Sequence, residues 1–365
     1  MSEPRVKMAD IKIRLLERIG DLVKYLAKGG KFKGDYYLAL NPRRHDKHIG
    51  SFWVKVAKGQ GQGAWKDGAT GDSGDIVDLC GYCLRHKNRQ ETYAWALAWT
   101  GLDRNVDPKE LEHRRKDRDR DEAAIDAKAE AELRKSRKRA FAWWLRAQPL
   151  RGTIGEVYIR EGRGLVGLDW NNPLHRLGAL RFLPEADHTD EDGVVTTWPI
   201  ILAAMCDGAG KVGAVHRTFI MPDGSDKAPV KPPRKIWPKF SGYSIRIGRG
   251  AGGLTPEERC RRGEKLPLVL TEGWDDSVAN LISLPDFMHW AAGTQGNMAE
   301  IPLLPCISEL ILCRDNDWTK DQAVRGFEKV KRVLGSRIKA AGLEIPVKVA
   351  GAFVGKDSND QYRGA

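Results

Sequence analysis

The sequence predicts an α/β protein. A parallel sheet flanked by helices is expected at its C-terminal end, preceded by a mixed α+β basic subdomain and a small β-rich N-terminal module. Three observations predict this. Late in the chain, three short apolar runs each lead into acids: Leu268 to Thr271 before Glu272 and Asp276, Ile311 to Cys313 before Asp315 and Asp317, and Val347 to Val354 before Asp357 and Asp360. A short apolar run bounded by breakers reads as a parallel strand buried on both faces. Between residues 152 and 263, short apolar runs alternate with turns. Near the N-terminus, aromatic pieces are separated by glycine turns, the pattern of a small ribbon-like sheet.

In chain order, residues 9–27 carry helical periodicity, with Ile11, Leu15, Ile19, Leu22 and Leu26 three or four apart. Residues 36–42, 50–56 and 65–74 are the β-rich pieces. A helix restarts over 75–84, with Ser73 or Asp75 as its cap. Cys80, Cys83 and His86 invite a zinc reading, but the cysteines share the apolar helix face of Ile76, Leu79 and Leu84, and no second ligand pair follows at zinc-site spacing. A core role fits them better. Residues 107–139 are dominated by charge and read as a solvated helix or helical linker. Phe141, Trp143, Trp144 and Leu145 then mark entry into packed structure.

Residues 200–208 read as a strand running into a turn, and residues 212–224 as its hairpin partner. Gly208 to Lys211 lacks the spacing of a phosphate loop and is expected to be the hairpin turn. Lys227, Lys231, Lys235 and Lys239 follow, mixed with prolines. Gly248 to Gly253 is expected to be a flexible connector. The expected domains are 1–104, 105–140, 141–263 and 264–365.

The formal charge of +12 points to a polyanionic partner, nucleic acid foremost. A soluble basic enzyme whose charge aids solubility is the plainer alternative. No apolar run approaches the ~20 residues that cross a membrane, and the N-terminus lacks a signal-like apolar core. A cytoplasmic location with no membrane partner is therefore expected. Six cysteines in 365 residues suit reduced thiols rather than a disulfide framework.

In an open parallel sheet, functional groups collect at the carboxyl ends of the strands. If the three late strands are neighbours, their acids meet at one edge. Like charges raise one another's pKa, so such a cluster calls for a hard divalent cation with oxygen ligands, Mg²⁺ or Mn²⁺. Asp315 and Asp317 share one side of a strand end by its period of two. Asp276 stands one helical turn beyond Glu272. The competing explanation is helix capping, by Asp275 or Asp276 for a helix reaching Leu284, and by Asp317 or Thr319 for a helix from about Gln322. Trp53 and Trp65 could stack single-stranded bases, although a core role is the commoner one.

The order Glu272-Gly273, Asp276, Gly293-Thr294, Asp315-Asn316-Asp317 and Lys356-Asp357 resembles the Toprim domain in its bacterial-primase branch, including primase-like proteins of plasmids and phages. Gly213, His216 to Thr218 and Lys227-Ala228 resemble the subdomain that precedes Toprim there. Asn41-Pro42, Ser51 to Val54 and Gly74 to Asp78 resemble the primase zinc-ribbon module without its cysteine ligands, so no zinc is expected.

The resemblance implies a primase-like nucleotidyltransferase making RNA primers on a single-stranded DNA template from nucleoside triphosphates. Glu272, Asp315 and Asp317 would be catalytic. Glu272, Asp276, Asp315, Asp317, Asp357 and Asp360 would be the metal ligands. Glu272 is either ligand or general base. Arg217, Lys227, Lys235 and Lys356 are the candidates for binding nucleotide or nucleic acid. A Toprim nuclease and a non-catalytic nucleic-acid-binding protein are the alternatives. Asn359 departs from the pattern, standing where a second aspartate is expected. No Walker motif encodes a helicase motor, and the helical subdomain that follows Toprim in cellular primases is not expected. The chain would then be a compact mobile-element version, or one that needs a separate helicase or helical partner.

Overall fold

The computed structural model describes residues 6–44, 46, 49–102, 108–190, 192–316, 321–351 and 355–364. It divides into two compact units, Met1–Glu132 and Leu133–Ala365.

The first unit opens with helices α1 (Met8–Glu17) and α2 (Ile19–Leu26). The single predicted helix breaks at Arg18, whose backbone leaves helical geometry at φ −112° and ψ 25°. Ile11 and Leu15 before the break, and Leu22, Val23 and Leu26 after it, enter the same core. An antiparallel meander follows: β1 (Lys31–Lys33), β2 (Tyr36–Ala39), β3 (Phe52–Lys55), β4 (Trp65–Asp67) and β5 (Ser73–Gly74). One face buries Tyr37, Ala39, Phe52, Val54 and Trp65. Strand alternation therefore turns Lys31, Lys33, Tyr36, Trp53, Lys55 and Lys66 to the other face.

Helices α3 (Ile76–Leu84) and α4 (Arg89–Thr100) complete that core. Asp75 caps α3 in a reciprocal box with Asp78. Cys80 and Cys83 lie on α3 in the core, as the apolar spacing predicts. Beside this sheet, polar side chains close on one another. Buried Asp67 accepts from Asn41 Nδ2 (2.6 Å), Arg44 Nε (2.9 Å) and the Ala69 amide (2.9 Å). Asp46 accepts from the Asn41 amide (3.0 Å) and Ser51 Oγ (3.2 Å). Helix α5 (Pro108–Arg146) covers the charged stretch and continues to Trp144.

In the second unit, the end of α5 buries Ala140 and Trp144. Strand β6 (Gln148–Pro149) and helix α6 (Ile154–Val157) follow, and α6 runs into a π-helical turn (Tyr158–Gly162). Next come β7 (Leu180–Thr189), β8 (Val195–Cys206), β9 (Val212–Phe219), β10 (Arg234–Trp237) and β11 (Ser244–Gly248). The last part holds α7 (Pro256–Arg262), β12 (Leu266–Thr271), α8 (Trp274–Ser283), β13 (Met288–Ala291), α9 (Gln295–Met298), β14 (Ile307–Arg314), α10 (Asp321–Ala340), β15 (Val347–Gly351) and α11 (Ser358–Arg363).

All strands of this unit form one 10-stranded sheet. Its main path runs β10-β9-β8-β11-β13-β12-β14-β15, with β7 also on β8 and β6 on β7. The N-terminal part is antiparallel, while β13, β12, β14 and β15 are parallel. Leu268 and Leu270 pack into one core and Val269 is buried on the opposite face, which is why this run reads as continuously apolar. The Gly208 segment is the predicted hairpin turn, with Asp207 Oδ1 accepting from the amides of Ala209 and Lys211. The Gly248–Gly253 stretch, expected as a flexible connector, links the end of β11 to α7. Gly250, Gly252 and Gly253 take positive φ, and Arg259 on α7 holds the Ala251 carbonyl at 2.6 Å. Among the described residues, no helix is long and apolar enough to cross a membrane.

Candidate active site

Strands β12, β14 and β15 are neighbours and run in the same direction. Leu270 pairs with Leu312, and Leu312 with Val349. Their carboxyl ends therefore open on one edge. Glu272 follows β12 directly and Asp315 follows β14 directly. Both line a cavity of about 220 Å³ together with Gln295, Cys313, Arg314 and Phe327. The segments after β14 and β15 are laced together: the Asn316 amide donates to the Lys356 carbonyl (2.6 Å), and Asn316 Nδ2 to the Gly355 carbonyl (2.8 Å). Gly293, at φ +82°, donates its amide to the Glu272 carbonyl at 2.8 Å. Thr294 caps α9 by accepting from Asn297. Asp317 and Thr319 lie outside the described residues, and so does any cap they give α10.

The capping explanation separates the remaining acids. Helix α8 begins after Gly273, with no side-chain cap, so neither Asp275 nor Asp276 is spent that way. Asp357 does cap α11, accepting from the Asp360 amide at 2.9 Å, and Asp360 accepts from the Lys356 amide at 3.1 Å. Each keeps a second carboxylate oxygen outside that bond.

Asp276 is buried and accepts one amide, that of Asn359, at 3.0 Å. Burial pushes its pKa well above the ordinary carboxylate value, and the nearby charges of Asp275, Asp357 and Asp315 push the same way. Asp275 behaves oppositely. Burial would raise its pKa too, but Arg234, Arg163 and Lys227 outweigh that and hold it well below the usual range. Arg163 Nη2 lies 2.7 Å from Asp275 Oδ2, and Arg234 Nη2 meets the same oxygen. Lys227 shares this field. Burial lowers its pKa, and the charges of Arg234 and Arg163 lower it further.

Strand register sorts the other cations. Thr218 on β9 faces Arg234 on β10, and Arg217 faces Lys235. Thr218 Oγ1 accepts from Trp274 Nε1 at 3.1 Å, which places Arg234 on the side of α8. Arg217 and Lys235 point to the other side of the sheet. There the Arg217 guanidinium lies over Trp143 at 5.4 Å, and Lys235 Nζ donates to the Thr189 carbonyl. Of the predicted cations, Lys227 joins the Asp275 group and Lys356 sits on the loop entering α11. Arg217 and Lys235 are brought to neither.

Sequence reasoning missed Arg163 and Arg234, weighed Asp275 only as a helix cap, and read Asn359 only as a departure from the motif. The signal available for Arg234 was strand alternation, since it stands directly opposite Thr218 of the named His216 to Thr218 segment. Among the described residues, no three His, Cys, Asp or Glu side chains gather closely enough to hold a metal ion. The chemistry of the donors at this edge nonetheless suits a hard cation: they are carboxylates, and burial and neighbouring acids make one of them, Asp276, resist ionisation.

Residues 134–247 match the model of a family described as a domain of unknown function, DUF7146. No curated protein matches the chain. Among solved structures, the chain is similar to the zinc-binding and RNA polymerase domains of the Aquifex aeolicus primase, at 16% identity over 96% of this chain and 81% of that one, with a TM-score of 0.36. It is also similar to the RNA polymerase domain of the Mycobacterium tuberculosis primase DnaG, at 15% identity over 63% and 78% of the two chains, with a TM-score of 0.34. The primase fragment of the bacteriophage T7 primase-helicase protein gives 14% identity over 51% and 63%, with a TM-score of 0.29.

Proposed function

We propose that the chain is a primase-like nucleotidyltransferase that binds single-stranded DNA and joins nucleotides at the acidic edge. The observation that carries this reading is the adjacency of β12, β14 and β15, which brings Glu272, Asp315 and the Asp357 loop to one edge. Joining two nucleotides requires a 3′-hydroxyl to attack an α-phosphate while pyrophosphate leaves. A bound Mg²⁺ or Mn²⁺ would stabilise the charge that develops on the attacking and leaving oxygens. Glu272, Asp276, Asp315 and Asp317 are the residues proposed to hold it, with Asp357 and Asp360 offering the oxygens that capping leaves over. Glu272 is proposed either to join that set or to take the proton of the attacking hydroxyl. The guanidinium and ammonium groups of Arg163, Arg234 and Lys227 offset the repulsion between carboxylates and a polyphosphate.

A second feature supports a nucleic-acid partner. The outward face of the five-stranded sheet carries Lys31, Lys33, Lys55 and Lys66 around Tyr36 and Trp53, whose rings meet edge-on at 5.2 Å. Cations for phosphates and rings for bases are the two needs of single-strand binding.

The test is incorporation of labelled nucleoside triphosphates on single-stranded templates with Mg²⁺ or Mn²⁺. Wild-type protein is expected to yield short products, and Asp315→Asn to lower the yield at least about a hundredfold. Loss of labelled DNA, itself abolished by Asp315→Asn, with no nucleotide incorporated would replace this reading with a nuclease. Absence of both reactions, with no Mn²⁺ binding, would leave a non-catalytic binding protein.

A further inference from the structure

In the sequence Asp275 stands only as a candidate helix cap, yet it is 1% exposed and makes two ion pairs. Its two ion pairs converge on one atom: Arg163 comes from the loop after the π-helical turn, Arg234 from β10, and both meet Oδ2. The Nε–H donors of both arginines and the acceptor Oδ1 are buried without a hydrogen-bond partner, so the hydrogen-bonding capacity of the cluster is not exhausted by its own members. Two guanidinium groups repel at this range, and an anion between them is what allows the arrangement.

A second chain of bonds closes the unit. Asn359 Nδ2 donates to the Arg163 carbonyl at 3.0 Å, and the Asn359 amide donates to Asp276 Oδ1 at 3.0 Å. Asn359 is fully buried. A carboxylate at this position could not donate to the Arg163 carbonyl, and it would set another negative charge beside Asp276. The amide at 359 and the acid at 275 thus belong to one construction.

We propose that Asp275 is a positioning residue that sets Arg163 and Arg234 side by side to receive a phosphate-bearing ligand, with Asn359 fixing that pair to Asp276. The class of ligand rests on the nucleotidyltransferase reading above. The arrangement of the guanidinium groups does not.

The experiment uses the full chain with ¹⁵N-labelled arginine. Guanidinium NMR signals are followed in wild type and in Asp275→Asn, and inorganic pyrophosphate is titrated into each. Wild type is expected to show slowly exchanging guanidinium protons for Arg163 and Arg234, assigned by their loss in the single variants Arg163→Gln and Arg234→Gln, and both sets should be lost in Asp275→Asn. Pyrophosphate affinity is expected to fall about tenfold, the loss of roughly one charge-assisted hydrogen bond. Unchanged or tighter pyrophosphate binding by Asp275→Asn would overturn the proposal, since Asp275 would then be a structural ion pair or a competitor of the ligand. Should Asp275→Asn not fold, Arg234→Gln, at a partly exposed position, takes its place. It should also bind about tenfold more weakly while the Arg163 signals persist, and an unchanged affinity would overturn the proposal. If wild type binds neither pyrophosphate nor single-stranded DNA, the functional reading falls separately. The guanidinium signals then still decide the positioning role: sensitivity to Asp275→Asn supports it and insensitivity refutes it.

Discussion

Asp67 in the first unit and Asp276 in the second are both buried aspartates, and their surroundings are opposite. Asp67 is ringed by Asn41, Arg44, the Ala69 amide and Thr70, all donors. Burial pushes its carboxyl up, but the Arg44, Ala69 and Asn41 hydrogen bonds and the Arg44 charge outweigh that and hold it below the ordinary value. Asp276 has one amide donor and the charges of three other acids, and is pushed up. The difference shows which cluster is complete. The Asp67 carboxylate is satisfied by these donors, which tie β4 to the loop after β2. Around Asp276, burial and the charges of the neighbouring acids outweigh its one amide donor, so its carboxyl is not satisfied in the way that of Asp67 is.

Two experiments can break this contrast. The larger effect is expected from Asp67→Ala, which strands Asn41 Nδ2 and the Arg44 guanidinium around an empty acceptor position. Urea unfolding of the first unit should show a loss on the order of 3 kcal/mol, discounted from a fully buried ion pair because Arg44 is partly exposed. A loss within about 0.5 kcal/mol, the range of an ordinary surface substitution, would mean that the ring of donors is incidental. Next comes a cation effect confined to the second unit. Mn²⁺ at a hundred times its dissociation constant should stabilise that unit by about 2.7 kcal/mol and leave the first unit unchanged. Thermal unfolding followed separately for each unit reads this directly. Equal stabilisation of both units, or of neither, would erase the distinction between a complete and an incomplete cluster.

The acidic edge was legible in the sequence because β12 and β14 are local runs with an acid immediately after each, and β15 is a local run with Asp357 six residues beyond it. Adjacency of β12, β14 and β15 needed only the rule for parallel sheets. The positive counterpart was not legible, because Arg163, Arg234 and Asp275 come from a loop, an antiparallel strand and a helix, joined only by the closure of the sheet. Lysines spaced four apart drew attention to Lys235, while period-two alternation puts its neighbour Arg234 on the side of Thr218 and α8. The polar ring around Asp67 was hidden for a similar reason: Asn41 is visible as part of a turn, but its partner stands 26 residues away. Asn359 departs from the motif in sequence, while in the fold its side-chain amide bonds the Arg163 carbonyl and its backbone amide bonds Asp276.

The smallest effect to measure, and the one that most directly contrasts the two carboxyls, is the response to acid without divalent cations. Asp276 has a folded-state pKa above its ordinary value of 3.8, so the folded chain takes up its proton before the unfolded chain does. Its contribution to stability therefore grows as pH falls from neutrality through the folded value, and is complete only below 3.8. Asp67 has the opposite sign. Its contribution is fully present above 3.8 and is lost as pH falls through its depressed folded value. Titrating downward from neutrality, the second unit should gain stability while the first holds, and the first should then weaken in stronger acid. Asp276→Asn carries no charge to bury, so it should flatten the gain in the second unit and raise that unit's stability at neutral pH by about 1 kcal/mol. If Asp276→Asn leaves the pH profile of the second unit unchanged, the charge deficit at the edge is not where the structure locates it.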